Sequence, residues 1–178
     1  RAALKQSYAY WIREVGVDAY RIDTAYHVEP DFWRDFLHAD DGMHAVAAET
    51  GREDFFCFGE ILLGSDAYDD SAERVARQYL GPDNAPILDA VISFPWYFTL
   101  RRVIAEGKPT DELAHRIRTQ MRLHREPLRV PIFIDNHDVD RFATIGGGRG
   151  LSQALVLLLT APGMPIIYYG TEQGFTHR

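Results

Sequence analysis

The sequence has 178 residues, 46% hydrophobic and 25% charged, with a net charge of −7. Those values suit a globular domain with a real core, and the acidic balance argues against a nucleic-acid partner, which would want a basic face. The lone cysteine, Cys57, excludes an internal disulfide; within "FFCFGEI" it reads as a buried, inert thiol rather than a nucleophile. No signal peptide stands at Arg1, and the longest apolar run, "ALVLLLTAPGMPII", is broken by proline and glycine, so no membrane partner is expected. Both ends read as cut rather than natural. Localisation is left open, with secretion or the periplasm favoured over the cytoplasm.

Taken in order, helix and strand alternate. "AALKQSYAYWIRE" (2–14) is a helix with Leu4, Tyr8, Trp11 and Ile12 at helical spacing, ended by Gly16. "VDAYRID" is a short strand. "PDFWRDFLHA" is a helix opened by Pro30, and "HAVAAETG" adds another turn or two. "DFFCFGEIL" is the second strand; 65–86 is a polar loop with a short helix around 71–79. "LDAVISFP" is the third strand, followed by helices at 96–106 and 110–125, the latter with Leu113, Ile117 and Met121 repeating every four. "RVPIFIDNHD" is the fourth strand and "GGGRG" a flexible loop. "LSQALVLLLTA" is a buried helix and "MPIIYYG" a fifth strand. No internal repeat or interdomain linker interrupts the series.

Continuously apolar strands separated by helices imply a parallel sheet covered on both faces. The α/β choices are a doubly wound open sheet or a (β/α)8 barrel. The absence of a glycine fingerprint after the first strand weakens the first. Asp23, Glu60 and Asp138 each end a different strand, which favours the barrel, where catalytic groups collect at that face.

Side chains alternate along a strand, so Arg21 shares a face with Asp23 and can donate to it. A neighbouring guanidinium favours the ionised carboxylate, which suits a nucleophile; a structural ion pair is the competing reading. Glu60 shares a face with Phe56 and Phe58. Partial desolvation would raise its pKa and suit a general acid, against the alternative of a glutamate pointing into water. "IDNHDVD" crowds Asp135, Asn136, His137, Asp138 and Asp140 together, which is costly unless it serves a site; a solvated acidic loop and a divalent-metal site are the competing readings. His27 and His137 are the only histidines near strand ends, so a catalytic zinc is not expected. Retaining glycosidases pair a carboxylate nucleophile with a carboxylic acid donor, and a third acid can bind ring hydroxyls.

These segments carry a resemblance. "YRIDTAYH" resembles the nucleophile segment of the α-amylase family, glycoside hydrolase family 13. "FGEI" is similar to its acid/base segment, "FIDNHDVDRF" to its third-acid segment and "PGMPIIYYGTEQGF" to its last barrel strand. The order matches, with 37 and then 78 residues separating Asp23, Glu60 and Asp138. The resemblance implies a (β/α)8 barrel present in part, about strands four to eight, with the earlier strands and an inserted domain absent. It implies Asp23 as nucleophile, Glu60 as acid/base and Asp138 as transition-state stabiliser. Arg21 would orient Asp23, His137 would bind the sugar, and Asn136 would support its segment. Tyr26 stands where many α-amylases have a lysine that touches sugar; it would stack on a sugar or pack in the wall. The His27 backbone carbonyl would help hold a structural calcium in the intact protein; no cofactor is implied for the chemistry. The partner implied is an α-glucan, with cleavage of α-1,4-glucosidic bonds in starch-like glucans or maltooligosaccharides. The alternatives are a cyclodextrin-cleaving or transglycosylating member, a non-catalytic glucan-binding or assembly module, and an unrelated metal-dependent barrel hydrolase. The stretch alone is expected to be inactive and to self-associate through its incomplete barrel.

Overall fold

A computed structural model describes residues 1–177. The chain divides into two compact units, each built from two stretches: residues 1–61 with 77–91, and residues 62–76 with residue 92 onward.

In the first unit, α1 (Ala2–Tyr10) continues into a π turn at Trp11–Val15. Gly16 ends it with φ 78°, a left-handed conformation that costs glycine no Cβ clash. Of the four residues at helical spacing only Ile12 is buried; Leu4, Tyr8 and Trp11 are exposed, and Lys5 and Ala9 complete the buried face instead. Lys5 is tolerated there because its ammonium sits 2.5 Å from Asp41 and 3.3 Å from Asp35, so the charge it buries is paired. β1 (Ala19–Ile22), β2 (Phe56–Gly59) and β3 (Ala90–Val91) form one parallel sheet in the order β1-β2-β3. α2 (Pro30–His38) opens at proline as expected and buries Trp33, Phe36 and Leu37; α3 (Met43–Glu49) buries Met43, Val46 and Ala47.

The third strand is shorter than the sequence predicts. Ser93 instead caps a helix, accepting the Trp96 N–H at 3.2 Å, with Pro95 in the first turn of α5 (Phe94–Leu100). α4 (Ser71–Leu80) and α6 (Asp111–Leu123) fall where the periodicity puts helices. In α6, Leu113 and Ile117 pack on the core of the second unit, but Met121 is exposed and the buried face is polar: Glu112, Arg116, Thr119 and Gln120. Arg116 donates to Glu73 at 2.7 Å, to the Ser65 hydroxyl at 2.6 Å and to the Asp69 carbonyl at 3.0 Å. Those bonds satisfy a guanidinium that is 1% exposed and tie the polar loop at 65–70 to the helix.

β4 (Pro131–Phe133) pairs in parallel with β5 (Met164–Ile166). Between them "GGGRG" is not a loop but part of α7 (Phe142–Thr160), kinked at Gly147, whose φ of 62° and ψ of 180° leave the helical region. The four glycines read as flexible, yet three of them continue the helix, along which Phe142, Gly150, Leu151 and Ala154 are buried. By length and composition α7 is apolar enough to cross a membrane. Gly147 leaves residues 148–160 beyond the kink, short of the about 20 that a span needs. Leu151, Ala154 and Leu158 pack against Trp96, Leu100, Ile132 and Ile134.

Burial pushes the Glu73 pKa up to about 7, although the Arg116 charge and hydrogen bond oppose the shift. A carboxyl whose folded pKa is raised stabilises the fold fully below its ordinary 4.5 and loses that contribution as pH rises through about 7. Glu73→Gln in the full-length protein should therefore flatten the fall in Tm between pH 5 and pH 8; an unchanged slope would contradict this. Arg116→Ala leaves Glu73 buried and unpaired and should cost about 3–5 kcal/mol in denaturant unfolding.

Candidate active site

The first unit brings Arg21, Asp23 and Glu60 together. β1 and β2 are parallel with Ala19 opposite Phe56 and Arg21 opposite Phe58, so the alternating face that carries Arg21 is the face that leads to Glu60. The Glu60 N–H donates to the Ile22 carbonyl at 2.8 Å and extends the pairing one residue past the strand. Gly59 leaves room for its neighbours at this step. A Cβ there would lie 2.6 Å from Leu88 Cδ1 and 3.0 Å from Ala25 Cβ.

One guanidinium nitrogen serves both acids. Arg21 Nη2 lies 3.5 Å from Asp23 Oδ1 and 3.2 Å from Glu60 Oε1. Sequence reasoning assigned Arg21 to Asp23 alone; its shorter contact is to Glu60. The two carboxyls differ sharply in solvation: the Asp23 side chain is 69% exposed and that of Glu60 6%. Burial raises the Glu60 pKa above its ordinary value, and a hydrogen bond shared with Asp23 raises it further. The Thr24 N–H, donating to Oε2 at 3.1 Å, and the Arg21 charge pull it back. Thr24 can aim its N–H this way because it adopts φ 46°, ψ 37°, a left-handed conformation unusual for a β-branched residue. No sequence signal marks that strain.

The turn beyond is anchored from below. Ala25–His27 is a 3-10 turn, and Trp33 Nε1 donates to the Ala25 carbonyl at 3.0 Å. The Tyr79 hydroxyl lies 3.0 Å from the Tyr26 carbonyl and 3.2 Å from that of Val28. Tyr26 is 44% exposed, with the Tyr79 ring 6.0 Å from its own, so it is not packed away in the core. His27 is exposed. No group of three acidic, histidine or cysteine side chains gathers beside it among the described residues.

The second unit sorts the crowded "IDNHDVD" into support and display. Asp135 is 1% exposed and structural: its carboxylate accepts from the Thr171 hydroxyl at 2.7 Å and the Phe142 N–H at 3.1 Å. Asn136 Oδ1 accepts the N–H groups of Asp138 and Val139 at 2.9 and 3.2 Å. That side-chain turn holds the segment after β4, the supporting role expected of Asn136. His137 and Asp138 are turned outward, with Nε2 and Oδ2 3.3 Å apart. Arg141 is buried, its guanidinium 4.1 Å from the Tyr168 ring centroid and 3.3 Å from the Thr171 hydroxyl; sequence reading passed over both Arg141 and Thr171.

The family model described as "Alpha amylase, catalytic domain" matches residues 1–178. The chain belongs to the α-amylase family. A beta/alpha-amylase of Paenibacillus polymyxa is 34% identical over 97% of the chain, and a cyclomaltodextrinase of Thermoanaerobacter pseudethanolicus is 31% identical over 93%. An Anoxybacillus α-amylase structure superposes with a TM-score of 0.79 at 27% identity over 98% of the chain. The fold is thus that of the α-amylase barrel, and the (β/α)8 expectation stands over the doubly wound one. The chain spans only part of these relatives: 13% of the Paenibacillus protein, 26% of the cyclomaltodextrinase and 36% of the Anoxybacillus chain. In this α-amylase-family chain all three expected acids are present, and Asp23 and Glu60 are neighbours.

Because Arg21 is one of the forces lowering the Glu60 pKa, Arg21→Met should move the Glu60 titration to higher pH. Isotope-edited infrared spectroscopy of the full-length protein, with Glu60→Gln to assign the band, measures the midpoint. An unchanged or lower midpoint would refute the shared-guanidinium account.

Proposed function

We propose that the protein to which this chain belongs hydrolyses α-1,4-glucosidic bonds in starch-like glucans or maltooligosaccharides, with retention of anomeric configuration. The observation that carries the reading is the contrast within the Asp23–Glu60 pair. A solvated carboxylate beside a buried carboxyl of raised pKa supplies a nucleophile and a proton donor at once.

In this mechanism Glu60 protonates the glycosidic oxygen while Asp23 attacks the anomeric carbon, breaking the C–O bond and forming a glycosyl ester. Glu60, now ionised, then takes a proton from water; the water oxygen attacks the same carbon and releases Asp23. Arg21 keeps both carboxyls oriented and offsets their mutual repulsion. Asp138 is assigned the role of gripping ring hydroxyls, His137 that of a hydrogen-bond donor to sugar, and Tyr26 that of a stacking surface. No step needs a cofactor or metal ion. The α-amylase of Geobacillus thermoleovorans was solved complexed with acarbose, which supports a glucan as the ligand of this family member. A cyclomaltodextrinase and a Paenibacillus macerans cyclomaltodextrin glucanotransferase are among the relatives at 31% identity. Hydrolysis and transfer differ only in whether water or a sugar hydroxyl accepts the glycosyl group. β1 lies at an edge of its sheet, where a further strand of the longer protein or a second copy would add.

In the full-length protein, Asp23→Asn and Glu60→Gln should each lower kcat by several orders of magnitude while glucan binding persists. A variant retaining more than a tenth of the activity would overturn its assigned role. Proton NMR of the first product should show the α-anomer before mutarotation; an initial β-anomer would exclude retention.

A further inference from the structure

The face of β2 opposite Glu60 carries a second cluster. Cys57 alternates with Phe56 and Phe58, so it points away from the carboxylates; its register partner Tyr20 packs on Tyr8 of α1, which marks this as the helix-covered face. There the Cys57 thiol, fully buried, meets His44 from α3 and Asp89 from the residue before β3. One donor atom from each of the three lies within 4.8 Å of the others, and His44 Nε2 is 3.5 Å from Asp89 Oδ2. Zinc–ligand bonds of 2.0–2.3 Å in a tetrahedron set donor atoms roughly 3.3–3.8 Å apart, so small side-chain adjustments would close the site.

The surroundings are arranged as metal ligands need. Asp89 Oδ2 accepts the Cys57 N–H at 2.7 Å, which fixes the carboxylate. The His38 ring stacks on His44 at 4.8 Å, and its own Nε2 contacts the Ile87 carbonyl at 2.7 Å, so His38 orients the ligand rather than joining it. An ion pair between His44 and Asp89 would be the ordinary explanation. Yet His44 Nε2 is buried and makes no hydrogen bond. A buried imidazole nitrogen aimed at a thiol and a carboxylate, bonded to neither, lacks a partner that a cation would supply.

We infer that His44, Cys57 and Asp89 form a structural site for a zinc-like divalent ion that ties α3 to β2 and to the start of β3. The mixed nitrogen, sulfur and oxygen donors suit a borderline-soft ion such as Zn²⁺ rather than calcium, with a water in the fourth position. Binding replaces the Cys57 S–H bond by a sulfur–metal bond and releases one proton to solvent; no oxidation state changes. The site lies on the other face of the sheet from Asp23 and Glu60 and takes no part in their chemistry, so it stands or falls separately from the proposed hydrolysis.

The test is to strip the full-length protein with a chelator and titrate it with Co²⁺, a spectroscopic stand-in for zinc. The expected result is a thiolate-to-cobalt charge-transfer band, release of one proton per ion, displacement by Zn²⁺ and indifference to Ca²⁺. Cys57→Ser should abolish the band. His44→Gln, at a partly exposed position that should fold, should weaken cobalt binding by at least about 100-fold. A wild-type titration without a sulfur band, or one whose band and affinity survive in His44→Gln, overturns the site.

Discussion

One guanidinium shared by two unequally solvated carboxyls is the constraint on which the site depends. Two adjacent acids repel, and burying one of them raises its pKa further. Arg21 makes the arrangement tolerable by placing Nη2 against both, while the Thr24 N–H takes the second oxygen of Glu60. Each of these contacts demands something of the backbone. The parallel register of β1 and β2 sets Arg21 on the face of Glu60, Gly59 admits the close approach of Leu88 and Ala25, and Thr24 holds a left-handed conformation to aim its amide. The strain at Thr24 is tolerated where a charged pair needs a donor, as local strain at reactive sites often is.

Polar burial organises the second unit as well. Asp135 and Asp138 sit three positions apart in sequence, yet the first is locked by Thr171 and the Phe142 amide and the second is displayed. A buried acid with every oxygen bonded makes a rigid support for an exposed one. Arg116 does the same for the loop at 65–70, gathering Ser65, Asp69 and Glu73 around one guanidinium. Arginine suits both places because its planar fork offers several donors at once.

The sheet of the first unit thus separates two kinds of chemistry by the alternation of a single strand. Glu60 and the two phenylalanines before it belong to one face, Cys57 to the other. The same residue can be inert as a nucleophile and still a ligand. Burial pushes the Cys57 thiol pKa far up, which removes a free thiolate, while a metal ion can displace the proton outright.

Much was legible before any coordinates. Five strands, most of the helices between them and the acids that directly follow β1 and β2 come from local patterns, because apolar runs, helix-opening prolines and a stopping glycine act within a few residues; Asp138, expected at the end of the fourth strand, lies five residues beyond β4, which ends at Phe133. The resemblance of four short segments placed the chain in its family, since a reacting centre demands particular residues in a fixed order. What local pattern could not decide was which partner each polar group meets. The periodicity of α1 offered its aromatic residues as a buried face, but Lys5 is buried because Asp35 and Asp41, 30 and 36 positions away, neutralise it. "GGGRG" looked flexible because glycine loses the most freedom on folding, yet packing against the core made most of it helix. Arg21 was read as the partner of its sequence neighbour Asp23, while its shorter contact, to Glu60, comes from strand pairing. The sequence by itself determined most of the elements and the candidate acids, because propensity and chemistry are properties of nearby residues. Only the tertiary structure decided burial, the sharing of Arg21 and the meeting of His44, Cys57 and Asp89, because those depend on which distant segments the sheet brings side by side.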